Sequence, residues 1–119
     1  MAHFISLKTA VAMTRLYRQE YENILQPPYR GKGILPFAEA FDRAAFDAVL
    51  AQDGCAGLRI YYGMDADLKV HAIIVGTDAK GNDLLPQGAA RGGAEPEDLI
   101  IEKGNRCPDL CSNDSPLNN

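Results

Sequence analysis

Basic charge is scarce in this chain. Its 12 Lys and Arg face 16 Asp and Glu, giving a net charge of −4 and a pI near 5.0. Sequence-independent binding to nucleic acid requires clustered cations that displace counterions, so this balance argues against a nucleic-acid partner. Long apolar runs are missing too. No stretch approaches the roughly 20 apolar residues that cross a bilayer. In MAHFISLKTAVAMTRLYRQ, Ser6, Lys8, Thr9 and Thr14 interrupt what an export signal needs to be continuous. Cysteine occurs three times, an odd count that suits a reducing compartment better than a disulfide framework. These absences predict a cytoplasmic protein with neither a membrane nor a nucleic-acid partner.

The familiar catalytic and ion-binding strings are absent as well. There is no G-x-S-x-G elbow and no H-E-x-x-H pair. Gly31-Lys32-Gly33 lacks the spacing of a phosphate loop, although Arg30 and Lys32 together offer an anion two cations. Asp65, Asp67, Asp78, Asn82 and Asp83 supply the oxygens that calcium favours, but Gly81 stands fourth from Asp78 where a calcium loop needs glycine sixth. Asp, Asn and Gly at such positions are the ordinary chemistry of hairpin turns.

What is present reads as one globular domain, residues 1–119. Hydrophobic residues make up 46% and charged residues 24%, which excludes a wholly disordered chain. Its charge is uneven: residues 1–36 hold five Lys and Arg against two Glu, and residues 37–119 hold seven against fourteen acids. Opposite signs on two parts of a small protein favour head-to-tail association, while plain surface scatter explains the same numbers.

Apolar spacing predicts a helix over residues 7–25, capped by Ser6 and stopped by Pro27-Pro28. Leu7, Ala10, Val11, Met13, Tyr17, Tyr21, Ile24 and Leu25 form its stripe, and Leu16 lies outside it. A basic Pro/Gly loop follows over 26–36. A second helix over 43–52 has Asp42 at its cap, Phe41 and Phe46 at staple spacing, Gly54 as its stop, and Phe46, Val49 and Leu50 facing inward. The period then changes to two. Leu58, Ile60 and Tyr62 alternate with Arg59 and Tyr61, and LKVHAIIVG supplies a partner strand with apolar groups on both faces, predicting an antiparallel hairpin over 57–76. Helices cover one face of such a hairpin, so the other needs the C-terminal segment or another subunit, which points to a homo-oligomer or protein partner. DLL opens a further strand, PQGAARGGAEP predicts a mobile loop over 86–96, residues 98–103 read as a short strand, and a Cys-containing tail fills 104–119.

Three readings of the cysteines stand side by side. Cys107 and Cys111 with Cys55 and His71 make a four-ligand zinc set, although zinc sites usually use two close cysteine pairs and only one is present. The C-x3-C pair alone is a disulfide or redox couple, or all three thiols pack as small hydrophobes. Cys55 with His71 also forms a thiolate dyad if the two meet. Asn113-Asp114-Ser115 is a glycosylation sequon, without consequence in the cytoplasm.

GCAGLRIYYGMDADLKVHAIIVGTDAKGNDLL together with CPDLCSNDSPLNN resembles a group of small uncharacterised bacterial proteins. In that group a G-x-R-I-Y-Y-G strand precedes an aliphatic V-G-x-D strand and a Cys-Pro tail ending in S-P-L-N. The resemblance covers about half the chain and implies a bacterial source and a compact domain; it brings no activity and no site residue. Taken together, the sequence predicts an α+β fold: two N-terminal helices packed on a small, mainly antiparallel sheet of three or four strands, with an extended C-terminal tail. Its predicted role is non-catalytic binding or self-assembly without a cofactor. The rival is a small zinc- or thiol-dependent protein centred on Cys55, His71, Cys107 and Cys111.

Overall fold

A computed structural model describes residues 2–86, 99–108, 111–112 and 115–118. Among them the fold is α+β, with two helices and two small antiparallel sheets of two strands each, where the sequence predicts a single sheet. Contacts divide the chain into two compact units, Met1–Glu39 with Asp65–Val70 and Asn105–Asn119, and Ala40–Met64 with His71–Gly104.

In the first unit, helix α1 spans Leu7–Glu20, and the Ser6 hydroxyl accepts from the Thr9 amide at 3.0 Å. The helix ends at Glu20, short of the predicted Leu25. Tyr21 N still donates to Tyr17 O at 2.7 Å, but Leu25 N reaches only Glu22 O. The carbonyls of this last turn are taken by the Arg30 side chain: Nε donates to Glu22 O and Leu25 O at 3.0 Å each, and Nη2 to Asn23 O at 3.3 Å. A guanidinium thus satisfies what the helical ladder leaves open, and Pro27–Tyr29 form a 3-10 turn within the expected loop. The apolar arc of α1 is wider than the surface it meets. Ala10, Val11, Tyr17, Tyr21 and Leu25 are half-buried, whereas Leu7, Met13 and Ile24 are exposed along with Leu16, contrary to the predicted stripe.

Tyr17 donates to Pro36 O at 2.8 Å and Tyr21 meets Phe37 edge-on at 5.0 Å, which places the start of β1, Ala38–Ala40. In chain order the remaining strands are β2, Gly57–Met64, β3, Val70–Thr77, and β4, Asn105–Cys107. β1 pairs with β4, and Phe37 N donates to Cys107 O at 2.7 Å. Three residues are too few to show a period, so neither of these strands is legible in the sequence. Arg106 binds Val70 O through Nη1, and Gly33 O and Ile34 O through Nη2 at 3.0 and 3.3 Å. Ile34 and Cys107 are buried, and Arg18 donates to Leu117 O, holding the described end of the tail.

In the second unit, Phe41 and Phe46 stack at 6.0 Å as the staple spacing predicts. Helix α2 runs over Arg43–Leu50, two residues short of the predicted 52, with Asp42 at the cap position but without a side-chain cap bond. Val49 is buried against Ile74 and Ile101, with Phe41, Ala45 and Phe46 around them. Leu50, expected inward, is 48% exposed because it lies outside that cluster.

β2 and β3 form the predicted hairpin. β3 is central: on its far side, Ile74 and Ile101 exchange two backbone bonds of 2.9 Å. Residues 74–77 are all buried. The predicted strand at DLL is reduced to a bridge between Thr77 and Asp83 with Leu84 N on Gly76 O, and the predicted strand at 98–103 to the Ile101 bridge. Residues 87–98, which carry most of the predicted loop 86–96, lie outside the described residues.

Candidate interaction surface

The four residues of the predicted zinc set are engaged separately. Cys107 and Cys111 are joined as a disulfide, Cys107 buried and Cys111 exposed. Cys55 is a free, half-buried thiol that donates to Gly57 O at 3.4 Å. His71 faces Glu102, Nδ1 to Oε1 at 3.4 Å. Among the described residues, no group of three ligand atoms placed to share one metal ion includes a cysteine.

The acidic clusters are turn builders. Asp65 Oδ1 accepts from Asp67 N at 2.8 Å and Lys69 N at 3.0 Å, closing the hairpin, and Asp78 Oδ1 accepts from Lys80 N and Asn82 N at 2.9 Å each. Both carboxylates thereby hold amides two and four residues on. The Asn82 amide, ahead of the others, lowers the pKa of Asp78 below the ordinary 3.8. Asp83 accepts from Arg59 Nη1 at 2.5 Å and from the Tyr61 hydroxyl, and Arg59 Nη2 reaches Gly81 O at 2.9 Å. These bonds tie one face of β2 to the turn after β3 and raise the pKa of Arg59, chiefly through the hydrogen bond to Asp83.

The other face of β2 is largely open among the described residues. A Cβ at Gly57 would lie 3.1 Å from the Thr77 hydroxyl, and Asp65 N donates to Lys69 O at 3.0 Å, so 57 stands opposite 77 and 65 opposite 69. That register puts Arg59 and Tyr61 on the side of Ile73 and Val75, and Leu58, Ile60, Tyr62 and Met64 on the side of Ile74 and Gly76. α2 sits on this second side, where a Cβ at Gly76 would meet Val49, Gln52 and Cys55. The helix covers β3 but leaves β2 open. Leu58 is 39% exposed, Ile60 53%, Tyr62 78% and Met64 60%. Val75, on the side away from α2, is buried.

β2 is also an edge. Its only strand partner among the described residues is β3. Asp65 points its amide inward, so residues 57 to 63 of odd number do likewise, and Leu58, Ile60, Tyr62 and Met64 turn their N–H and C=O groups outward. Among the described residues nothing pairs with these main-chain groups, so the same four residues present an open edge and an apolar row. Alternation in GLRIYYGM shows this row in the sequence; which strand forms the edge does not show there.

A second apolar surface lies on the first unit, a shallow groove of about 250 Å³ along α1 between Met13, Leu16, Tyr17 and Ile24. It lacks open main-chain groups, since the helix satisfies its own.

The chain matches no family model, no curated protein and no solved structure. Its surfaces are therefore the guide to what it does. No helix among the described residues is long and apolar enough to cross a membrane.

Proposed function

We propose that this protein is a non-catalytic self-assembly module. The observation that supports this reading is the open edge of β2 with its row of Leu58, Ile60, Tyr62 and Met64. Natural sheets blunt exposed edges with Lys, Pro or bulges because an unpaired strand templates pairing. β2 has no Lys and no Pro, and Arg59, its single charged residue, is neutralised by Asp83. A strand with that composition is suited to contact. The role requires no cofactor, nucleic acid or membrane. Residence in the bacterial cytoplasm belongs to the same reading, with the odd cysteine count and the resemblance of the GLRIYYG and CPDLC segments behind it. In such a compartment the Cys107–Cys111 pair is expected to be reduced.

Sedimentation of the purified chain over a wide dilution range tests the reading. The expected mass is a multiple of 12.9 kDa that falls on dilution. Added salt is expected to strengthen the association, because each copy carries −4 and the contact itself is apolar. Head-to-tail attraction between oppositely charged parts would weaken with salt instead. A single-chain mass at every concentration would overturn self-assembly.

A further inference from the structure

We infer that β2 pairs with β2 of a second copy, antiparallel across a two-fold axis at Tyr61, so that two hairpins merge into one four-stranded sheet. This deepens the self-assembly reading and rests on it. The occupant follows from three properties of the strand.

The first is register. Outward amides fall on residues of even number, and a two-fold axis through Tyr61 sets 58 opposite 64 and 60 opposite 62. Both members of each pair then have outward N–H and C=O groups, so every open group of one copy finds a complement in the other. The second is facing. An axis perpendicular to the sheet keeps the two faces separate, and the apolar rows of both copies join into one continuous surface, with Arg59 and Tyr61 of both copies on the opposite side. Arg59 stands across from Gly63 of the second copy, so the pairing sets no two cations side by side. The third is composition. β2 carries no Lys and no Pro, and Arg59, its one charged residue, is paired with Asp83, so nothing on the strand opposes a second copy. The helix groove on the first unit has no comparable self-complementarity, since it offers no hydrogen-bonding edge to fix a partner's register.

The test exploits the direction of the amides. Ile60→Pro removes an outward N–H and leaves the inward ladder to β3 intact, which an edge strand tolerates. Two-fold symmetry makes the loss occur twice, so the dimer dissociation constant is expected to rise on the order of tenfold or more. Tyr62→Lys is expected to weaken association similarly and serves if the proline variant fails to fold by circular dichroism. Leu16→Lys, on the α1 groove, is expected to leave the mass unchanged. Tyr61→Cys in a Cys55→Ser background places two thiols at a non-hydrogen-bonded pair with Cα atoms roughly 4.5 Å apart, within disulfide reach, and is expected to cross-link two chains on mild oxidation. A wild-type protein that associates, but dissociates with Leu16→Lys and not with Ile60→Pro or Tyr62→Lys, overturns the β2 pairing and leaves self-assembly standing. A protein that is a single chain throughout overturns both. An associated Tyr61→Cys variant that does not cross-link overturns the register.

Discussion

Arg30 draws three carbonyls of the turn after α1 onto one guanidinium, and the Glu22 carboxylate accepts from Gly31 N at 2.6 Å beside it. A cation at a helix C-terminus also opposes the helix dipole. Arg30→Ala is therefore expected to destabilise the fold by about 1 kcal/mol, read as a lowered urea midpoint, since exposure and solvent screening limit each bond. Sequence spacing suggests an anion site at Arg30 and Lys32, but Arg30's partners are main-chain oxygens that no side-chain pattern reveals. Ser6 and the Phe41–Phe46 staple, by contrast, are legible because both depend on short-range spacing. Asp78 carries a pH signature. Its folded pKa lies below the ordinary 3.8, so its contribution is present above that value and disappears as pH falls through the folded pKa. Tyr17 is shifted the other way, above 10.0, by burial first and Tyr21 second, so its contribution is lost as pH rises past that range. The urea midpoint is expected to fall at both extremes, and Asp78→Asn to flatten the acid limb; an unchanged acid limb would show that the turn carboxylate does not couple to folding.

At the scale of elements, α2 approaches β3 closely because Gly76 has no side chain. A Cβ there would stand 3.0 Å from Cys55 Sγ, 3.1 Å from Gln52 Oε1 and 3.3 Å from Val49 Cγ1. Gly76→Ala is expected to cost roughly 1–3 kcal/mol by overpacking, whereas Ala at Gly31, where nothing lies within reach of a Cβ, meets only the strain of its positive φ. Comparing thermal midpoints of the Gly76→Ala variant and wild type measures it. The hairpin and both helices are legible because their periods persist over eight residues or more. β1 and β4 are not, since each is three residues long and stands only through the other, with Phe37 N on Cys107 O and Arg106 on the carbonyls of Gly33 and Ile34. The end of α1 is misplaced in the sequence for a related reason: Pro27 marks where a helix must stop, while the Arg30 side chain decides where it does stop.

For the whole molecule, the sequence points to apolar hairpin surface beyond what the helices cover, without assigning it to either face. Val75 is buried, and the exposed row runs along β2 on the same side as α2. The eight residues of α2 are enough for β3 and Ile101 but not for the next strand. Pairing β2 between two copies closes the unpaired edge and sets the two apolar rows side by side. Amide hydrogen exchange resolved residue by residue reads that closure directly. In concentrated protein, the amides of Leu58, Ile60, Tyr62 and Met64 are expected to be protected, and to lose that protection on dilution while Arg59, Tyr61 and Gly63, bonded within the hairpin, keep theirs. Rapid exchange at the four even-numbered positions in concentrated protein, or protection there that dilution leaves unchanged, would contradict pairing of β2 between copies.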